Sequence, residues 1–209
     1  SGPGPSMFLL GDDAVKEKYL HDIVAGRRAC NIALTEPDAG SALTHLSTSA
    51  VRDGNALILN GHKSFLTGSN VNDLNATFVR FDDVPGAKGI GAVVVDAQSP
   101  GVEIRRGPVF IGDRGIHHGE MVLTDVRVPA EDIIVGPGQF ARLMTAFNLE
   151  RLHNCGFWLG FSQAAYDEAA AYTQRREAFG KTIIDFQAVY HSLADMWVQI
   201  EALRLLAYR

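Results

Sequence analysis

The stretch STSAVRDGNALILNG, residues 47–61, decides the fold class of the middle of the chain. Two runs that suit strands flank Asp53-Gly54-Asn55, a triplet typical of a tight turn between antiparallel strands. We therefore predict a β-hairpin here. The same texture extends from about residue 29 to residue 136, where short apolar runs alternate with Gly, Asp, Asn and Pro.

Further strand candidates follow the hairpin at roughly regular spacing: ATFVRF, IGAVVVD, GVEIRR and EMVLTDVRVP. No helical period of useful length interrupts them. A parallel sheet would need crossover helices between its strands, so we predict an antiparallel or barrel-like sheet.

Helical patterns flank this β-region. Residues 12–25 carry one apolar stripe, and Asp12 can cap the helix that they predict. After Pro137 the period becomes helical again, with one long helix towards Arg175 and a second at about 186–207. The predicted fold class is therefore α+β.

The last predicted helix keeps an apolar flank that a single neighbouring helix cannot cover, and the pattern is still running at Arg209. We therefore expect the chain to be a piece of a longer protein or to pack against other chains.

Composition excludes several classes of protein. The 209 residues are 46% hydrophobic and 21% charged, as in ordinary globular proteins. A net charge of −5 argues against nucleic-acid binding, which favours a basic face. The longest apolar runs fall short of a membrane span.

The N-terminus and the two cysteines bear on the compartment. The start, SGPGPSMFLLGDD, lacks the basic region of a signal peptide. Cys30 and Cys155 are too few and too far apart for a disulfide framework or a metal site. We expect a reducing compartment, either the bacterial cytoplasm or the mitochondrial matrix, and no secretion.

The segment LTEPDAGSALTH, residues 34–45, breaks any strand or helix directly behind an apolar run. It offers hydroxyls, backbone donors and a glycine, a set that suits a polar planar ligand or a phosphate. Taken singly, these residues also suit an ordinary turn.

Other motifs that carry chemistry are missing from the sequence: it has no Walker-type loop, no GxGxxG and no GxSxG. His117-His118 is an adjacent pair, which a strand would point to opposite sides, and we predict ordinary surface histidines and no metal site.

Five segments in order resemble the acyl-CoA dehydrogenase family of flavoenzymes: ALTEPDAGS, LNGHKSFLTG, GDRG with VRVP, NLERL, and RREAFGK with FQA. The resemblance covers nearly the whole chain. It implies the end of an N-terminal helical domain at 1–28, a middle β-domain at 29–136 and the first helices of a C-terminal helical bundle at 137–209.

The resemblance also implies which residues bind FAD. Leu34 and Thr35 would touch the flavin, and Ser41 its pyrophosphate and the substrate. Phe65, at a position where the family often has tryptophan, would stack near the flavin. Thr67 would donate towards the reactive edge of the ring.

The RREAFG turn and the second long helix carry three further implied contacts. Arg176 and Phe179 would reach the FAD of a neighbouring subunit, and Gln187 would approach the same cofactor. The resemblance therefore implies a homo-oligomer, a dimer or a homotetramer. Without it, Arg176 is a solvated charge.

Glu150 is the candidate catalytic base, and Arg151 would help to shape the substrate site. In the isovaleryl and long-chain branches the base is a glutamate directly before this arginine, whereas in much of the family it lies near the C-terminus. A buried carboxylate beside an apolar substrate has a raised pKa that suits proton abstraction. Without the resemblance, the two residues suit a solvated glutamate and an arginine that pairs with it.

The implied function is dehydrogenation of an acyl-CoA thioester to the trans-2-enoyl thioester, as in fatty acid metabolism, with electrons passed to an electron-transferring flavoprotein. Three different functions stay open: action on an acyl carrier protein thioester, a reaction with oxygen, or a flavin-free subunit of a heteromeric complex. One departure from the family pattern is RGIHHGE at 114–120, in place of a segment that contains Ser or Thr.

Overall fold

The computed structural model describes residues 4–112 and 115–209. The chain forms two compact units, residues 1–147 and 148–209. The division predicted above, at 28/29 and 136/137, concerns the domains of the full-length protein and stays a prediction.

Short helices open the first unit: Gly4–Phe8 (α1), Asp13–Val15 (α2), a π-helical turn at Lys16–Leu20, and His21–Val24 (α3). The Asp12 carboxylate accepts a hydrogen bond of 3.0 Å from the Val15 amide, which confirms the predicted cap. Gly26 follows with φ +70°, a conformation that favours glycine. The predicted helix is therefore present, with a π-turn in its middle.

In the described part of the first unit, eight strands form one sheet. They are Cys30–Ala33 (β1), Ser49–Asp53 (β2), Ala56–Thr67 (β3), Leu74–Phe81 (β4), Ile90–Asp96 (β5), Val102–Arg105 (β6), His118–Pro129 (β7) and Ile133–Val135 (β8). Their order is β6-β7-β3-β2-β4-β5-β8, and β1 pairs with β4 beside this path. The predicted hairpin is confirmed, because β2 and β3 pair antiparallel across Gly54-Asn55.

The sheet corrects one part of the prediction. Among the described residues it is open, and two of its pairings are parallel: β1 and β2 lie one after the other along the same edge of β4. Residues 34–48 are thus an excursion from that edge. Strand patterns record which residues are buried but not the direction of the partner strand, so the sequence did not show this.

The sheet has a core on each face. On one face, side chains of β4 and β5 pack on the N-terminal helices and on the first turns of the helix that begins at Phe140. The other face buries Ala33, Ala50, Leu57, Leu59, Leu66, Val79, Phe81, Val93, Val95, Met121, Leu123, Val126 and Val128. Ala39 and Leu46 of the excursion are buried in the first of these cores. A fully buried aliphatic side chain contributes about 1.5–3 kcal/mol, so this core holds the excursion in place.

Two long helices follow. They are Phe140–Arg175 (α4) and Gln187–Tyr208 (α5), joined by a two-stranded hairpin of Glu177–Ala178 (β9) and Lys181–Thr182 (β10). Both predicted helices are confirmed. Within the second unit Leu159, Leu193 and Ile200 are buried. Other large apolar side chains on these helices are exposed, among them Phe157, Trp158, Phe161, Trp197, Val198, Leu205 and Leu206.

Both cysteines are free thiols. In the described part of the chain, no helix has the length and apolar character to cross a membrane, and no three His, Cys, Asp or Glu side chains group as metal ligands would.

Candidate functional site

The loop after β1 forms a tight turn. The Glu36 amide donates to the Ala39 carbonyl at 2.9 Å, and the Ala39 amide donates back to the Glu36 carbonyl at 3.2 Å. This antiparallel bridge brings Gly40 back opposite Thr35. A Cβ at Gly40 would meet no atom within 4 Å, so the backbone of Gly40 and the exposed Ser41 border open space.

A β-bulge near the end of β3 changes which of its side chains face the core. Between Lys63 and Leu66 the strand has one residue more than its partner β7. The extra step is taken by Phe65, whose φ of +61° is strained for a side chain other than glycine. Because of the bulge Leu66 enters the core, while Phe65 (49% exposed) and Thr67 face outward.

Thr67 is held by its backbone. Its carbonyl accepts hydrogen bonds from the side-chain amides of Asn31, at 2.7 Å, and Asn72, at 2.9 Å. Among the described residues, no hydrogen bond uses the hydroxyl of Thr67, Thr35 or Ser41. Three predicted ligand-facing hydroxyls therefore remain available.

A buried ion pair joins the loop to β3. The Lys63 ammonium lies 2.7 Å from the Glu36 carboxylate, and the two side chains are 0% and 3% exposed. Lys63 also donates to the Leu34 carbonyl at 3.1 Å, and the Ser64 amide donates to the Thr35 carbonyl at 2.8 Å. Leu34 and Thr35 are therefore fixed against the strand that carries Phe65 and Thr67.

Glu36 also accepts hydrogen bonds from the end of the excursion, where the chain returns to the sheet. Its carboxylate receives the Ser47 amide at 2.6 Å, the Ser47 hydroxyl at 2.7 Å and the Thr48 amide at 2.9 Å. Burial opposes its ionisation, but the charge of Lys63 and these donors lower the pKa of Glu36 to about 2. Burial lowers the pKa of Lys63 to about 8 against the attraction of Glu36. Both groups are charged at neutral pH.

The RGIHHGE segment packs beside the end of β3. The Gly68 amide donates to the His117 carbonyl at 2.6 Å, and His117 Nδ1 lies 2.8 Å from the Ser69 hydroxyl. The Phe110 ring lies edge-on to Phe65 at 6.0 Å, and 4.4 Å from the His118 ring. Residues 113 and 114 lie outside the described residues. Both histidines are half-buried, and their role stays a prediction.

The second unit carries the three other predicted cofactor contacts. Phe179 lies in the turn of the hairpin between β9 and β10, has φ +53° and is 97% exposed. Arg176 is fixed by its backbone, which bonds to Tyr172 and Ile183. In the described part of the chain no hydrogen bond or ion pair uses the side chain of Arg176 or Gln187.

Glu150 and Arg151 lie near the start of the second unit, on α4. Glu150 is half-buried, and burial raises its pKa although the charges of Arg151 and His153 oppose the shift. The Arg151 guanidinium donates to the Asn148 side chain at 3.0 Å. A direct pair between Arg151 and Glu150 is thus not the geometry of this structure.

Two family models match the chain. The middle domain of acyl-CoA dehydrogenase matches residues 31–126, and its C-terminal domain matches residues 140–209. The chain belongs to the acyl-CoA dehydrogenase family.

Relatives of known name agree with this family. The caffeyl-CoA reductase–Etf complex subunit CarC of Acetobacterium woodii is 37% identical over 98% of this chain and 54% of its own length. Butyryl-CoA dehydrogenase from Megasphaera elsdenii superposes with a TM-score of 0.89 at 33% identity, over 97% of this chain and 54% of that one. Glutaryl-CoA dehydrogenase from Mycobacterium smegmatis in complex with FADH2 gives 0.85 at 30% identity, over 97% and 51%. The chain thus spans about half the length of the family members it matches.

Sequence reasoning missed the Glu36–Lys63 pair and the bulge. The resemblance implied only groups that would contact the ligand, namely the hydroxyls and the ring of Phe65, whereas the pair is buried beneath the surface. The sequence carries no local signal for the pair, because Lys63 stands between the polar residues His62 and Ser64, where a lysine also suits an exposed strand position.

Proposed function

We propose that the full-length protein removes hydrogen from the α- and β-carbons of an acyl-CoA thioester and forms the trans-2-enoyl thioester. FAD is the proposed cofactor, and an electron-transferring flavoprotein the proposed electron acceptor. Two observations carry this proposal: the hydroxyls of Thr35, Ser41 and Thr67 have no hydrogen-bond partner among the described residues, and the ring of Phe65 is exposed.

The donor set fits FAD. Its ring is planar and rich in hydrogen-bond acceptors, and its pyrophosphate is anionic, so it suits fixed donors and an exposed aromatic face. Thr35 and Thr67 would hold the ring, Phe65 would pack near it, and Ser41 with the open backbone at Gly40 would receive the pyrophosphate. When bound, FAD supplies the acceptor for the hydride from the β-carbon.

Glu150 is the proposed base that takes the α-proton onto its carboxylate. Its raised pKa makes the carboxylate a stronger base than an exposed one. Arg151 is proposed to help shape the site from the next position. A glutamate in the part of the protein beyond this chain is the second candidate for the base.

The contacts of the second unit support an oligomer. Phe179 is held outward by the hairpin, and the side chains of Arg176 and Gln187 have no partner among the described residues, as contacts to a second subunit's FAD require. We propose a homo-oligomer, a dimer or tetramer. The electron-transferring partner is supported by the name of the Acetobacterium relative, which is a subunit of a reductase–Etf complex.

The decisive experiment is an anaerobic titration of the purified full-length protein. We expect a yellow protein whose visible absorbance bleaches when an acyl-CoA is added and returns when an electron acceptor, such as oxidised electron-transferring flavoprotein, is added afterwards. Straight-chain and aryl-bearing acyl-CoA thioesters should be compared, since one relative is named a caffeyl-CoA reductase.

Three results would contradict this function, each in its own way. A colourless protein without affinity for FAD would support a flavin-free subunit of a heteromeric complex. Flavin reduction by acyl carrier protein thioesters but not by acyl-CoA would support a carrier-protein substrate. Turnover that requires oxygen as the electron acceptor would support an oxygen-dependent reaction.

A further inference from the structure

The Glu36–Lys63 pair connects the loop that carries Leu34 and Thr35 to the strand that carries Phe65 and Thr67. Lys63 bonds the Leu34 carbonyl, Glu36 bonds the return of the excursion at Ser47 and Thr48, and Ser64 bonds the Thr35 carbonyl. The bulge that turns Phe65 outward begins at Lys63 itself. No other ion pair in the described part of the chain is buried on both sides.

A pair at this depth is a poor device for stability. Removing both charges from water carries a large penalty, and well-packed apolar residues of similar volume often serve as well or better. The register partner of Lys63 on the sheet, Met121, is apolar and buried. The stability of the core therefore does not explain why two charges lie there.

The hydrogen bonds that Lys63 donates explain the buried charges better. Its ammonium donates to the Leu34 carbonyl, and the same peptide group carries the Thr35 amide, which has no acceptor among the described residues. A cation on the carbonyl polarises that peptide and strengthens its N–H as a donor. The Thr35–Glu36 peptide is fixed in turn by Ser64. The Thr35 amide is therefore a donor without a described partner, held through the peptide group that Lys63 bonds and strengthened by its charge.

We propose that the Glu36–Lys63 pair is a positioning device for the cofactor, which holds the Thr35 amide, Phe65 and Thr67 in the arrangement that receives the flavin ring. This inference rests on the proposed function. Neither charged group needs to touch the cofactor; both act through the backbone that they bond.

The test compares three full-length proteins: wild type, the double variant Glu36→Leu/Lys63→Met, and the control Asp53→Asn/Arg127→Gln. The control removes an ion pair of the same sheet whose side chains are 60% and 59% exposed. FAD dissociation constants, the shape of the bound flavin's visible band and the melting temperature of the apoprotein are measured for each.

We expect the double variant to keep its apoprotein melting temperature. Its FAD affinity should fall about tenfold or more, because the Thr35 amide and the Thr67 hydroxyl are no longer held in position. Its residual flavin should show an altered visible band, and the control should match wild type. Wild-type FAD affinity and band shape in the double variant would overturn the inference and leave the proposed function intact. A wild-type protein without affinity for FAD would overturn both.

Lys63→Arg is the second variant, because it keeps the charge but not the position of the ammonium. We expect it to melt near wild type and to lose FAD affinity by several-fold with a shifted visible band. A double variant that cannot fold, together with Lys63→Arg that binds FAD as wild type does, would assign the pair to stability and overturn the inference.

Discussion

The two units differ in how firmly hydrogen bonds within the unit hold the candidate functional residues. In the sheet unit, the Thr35 carbonyl accepts the Ser64 amide, and the Thr67 carbonyl accepts two asparagine side chains. The buried Glu36–Lys63 pair joins the loop of Thr35 to the strand that carries Phe65 and Thr67. In the helical unit, the side chains of Arg176, Phe179 and Gln187 make few bonds of their own, and large apolar residues around α4 and α5 are exposed. The first set is thus organised from within its unit, whereas the second offers groups whose use depends on what binds to them.

This difference assigns different tasks to the two units. A cofactor that remains bound through many turnovers gains from donors that are fixed in advance. A base that must exchange its proton in each turnover needs access and a suitable pKa more than rigid bonds. The half-buried Glu150, with its raised pKa and without a direct ion pair among the described residues, has that character.

Replacing Glu150 should have the largest effect. If the helical unit supplies the base, Glu150→Gln in the full-length protein should keep FAD binding but slow flavin reduction by about 10²–10⁴-fold, because general-base catalysis is lost. Stopped-flow reduction with the preferred acyl-CoA measures this. Glu168→Gln, on the exposed surface of the same helix, is the matched control and should reduce at the wild-type rate. Near wild-type reduction in Glu150→Gln would place the base in the part of the protein beyond this chain.

Breaking the buried pair from one side should have the next largest effect. Glu36→Gln leaves the ammonium of Lys63 buried without a counter-charge, which typically costs about 3–5 kcal/mol of unfolding free energy. Asp53→Asn breaks the exposed pair with Arg127 and should cost less than about 1 kcal/mol. Denaturant unfolding followed by circular dichroism compares the two. Equal losses would show that burial does not distinguish these pairs.

Secondary structure was predictable because it has local signals, whereas the candidate site residues were implied by the family resemblance alone. The hairpin follows from Asp53-Gly54-Asn55, and the long helices from their apolar spacing. The parallel edge, the bulge and the ion pair were not predictable. Each depends on which distant residues meet: Glu36 and Lys63 are 27 positions apart, and Phe65 turns outward because β3 has one residue more than β7 between Lys63 and Leu66.

Acid should weaken the sheet unit through Glu36. Its pKa in the folded protein is about 2, against an ordinary value of 4.5, so between these values the unfolded chain binds more protons than the folded one. The stability that Glu36 contributes is therefore complete above about pH 5 and is lost as the pH falls towards 2, with a total on the order of 3 kcal/mol.

Unfolding midpoints measured across this pH range test the effect. The double variant Glu36→Leu/Lys63→Met should lose this part of the acid dependence, and Asp53→Asn/Arg127→Gln should retain it. The same acid dependence in both variants would assign the transition to carboxylates elsewhere in the protein.

The smallest expected effect concerns the hydroxyls themselves. Thr67→Ala and Ser41→Ala each remove one donor from the ligand and none from the core, because neither hydroxyl bonds to another described residue. Each should weaken FAD binding by about 0.5–1.5 kcal/mol, a few-fold in the dissociation constant, with an unchanged melting temperature of the apoprotein. Thr124→Ala, an exposed hydroxyl on β7, is the control. FAD titration of full-length variants decides the matter: if Thr67→Ala binds as tightly as Thr124→Ala, the outward turn of β3 serves the ring of Phe65 and not the hydroxyl. The sheet unit would then bind FAD through its backbone donors and the ring of Phe65, and the comparison between the units would rest on those groups alone.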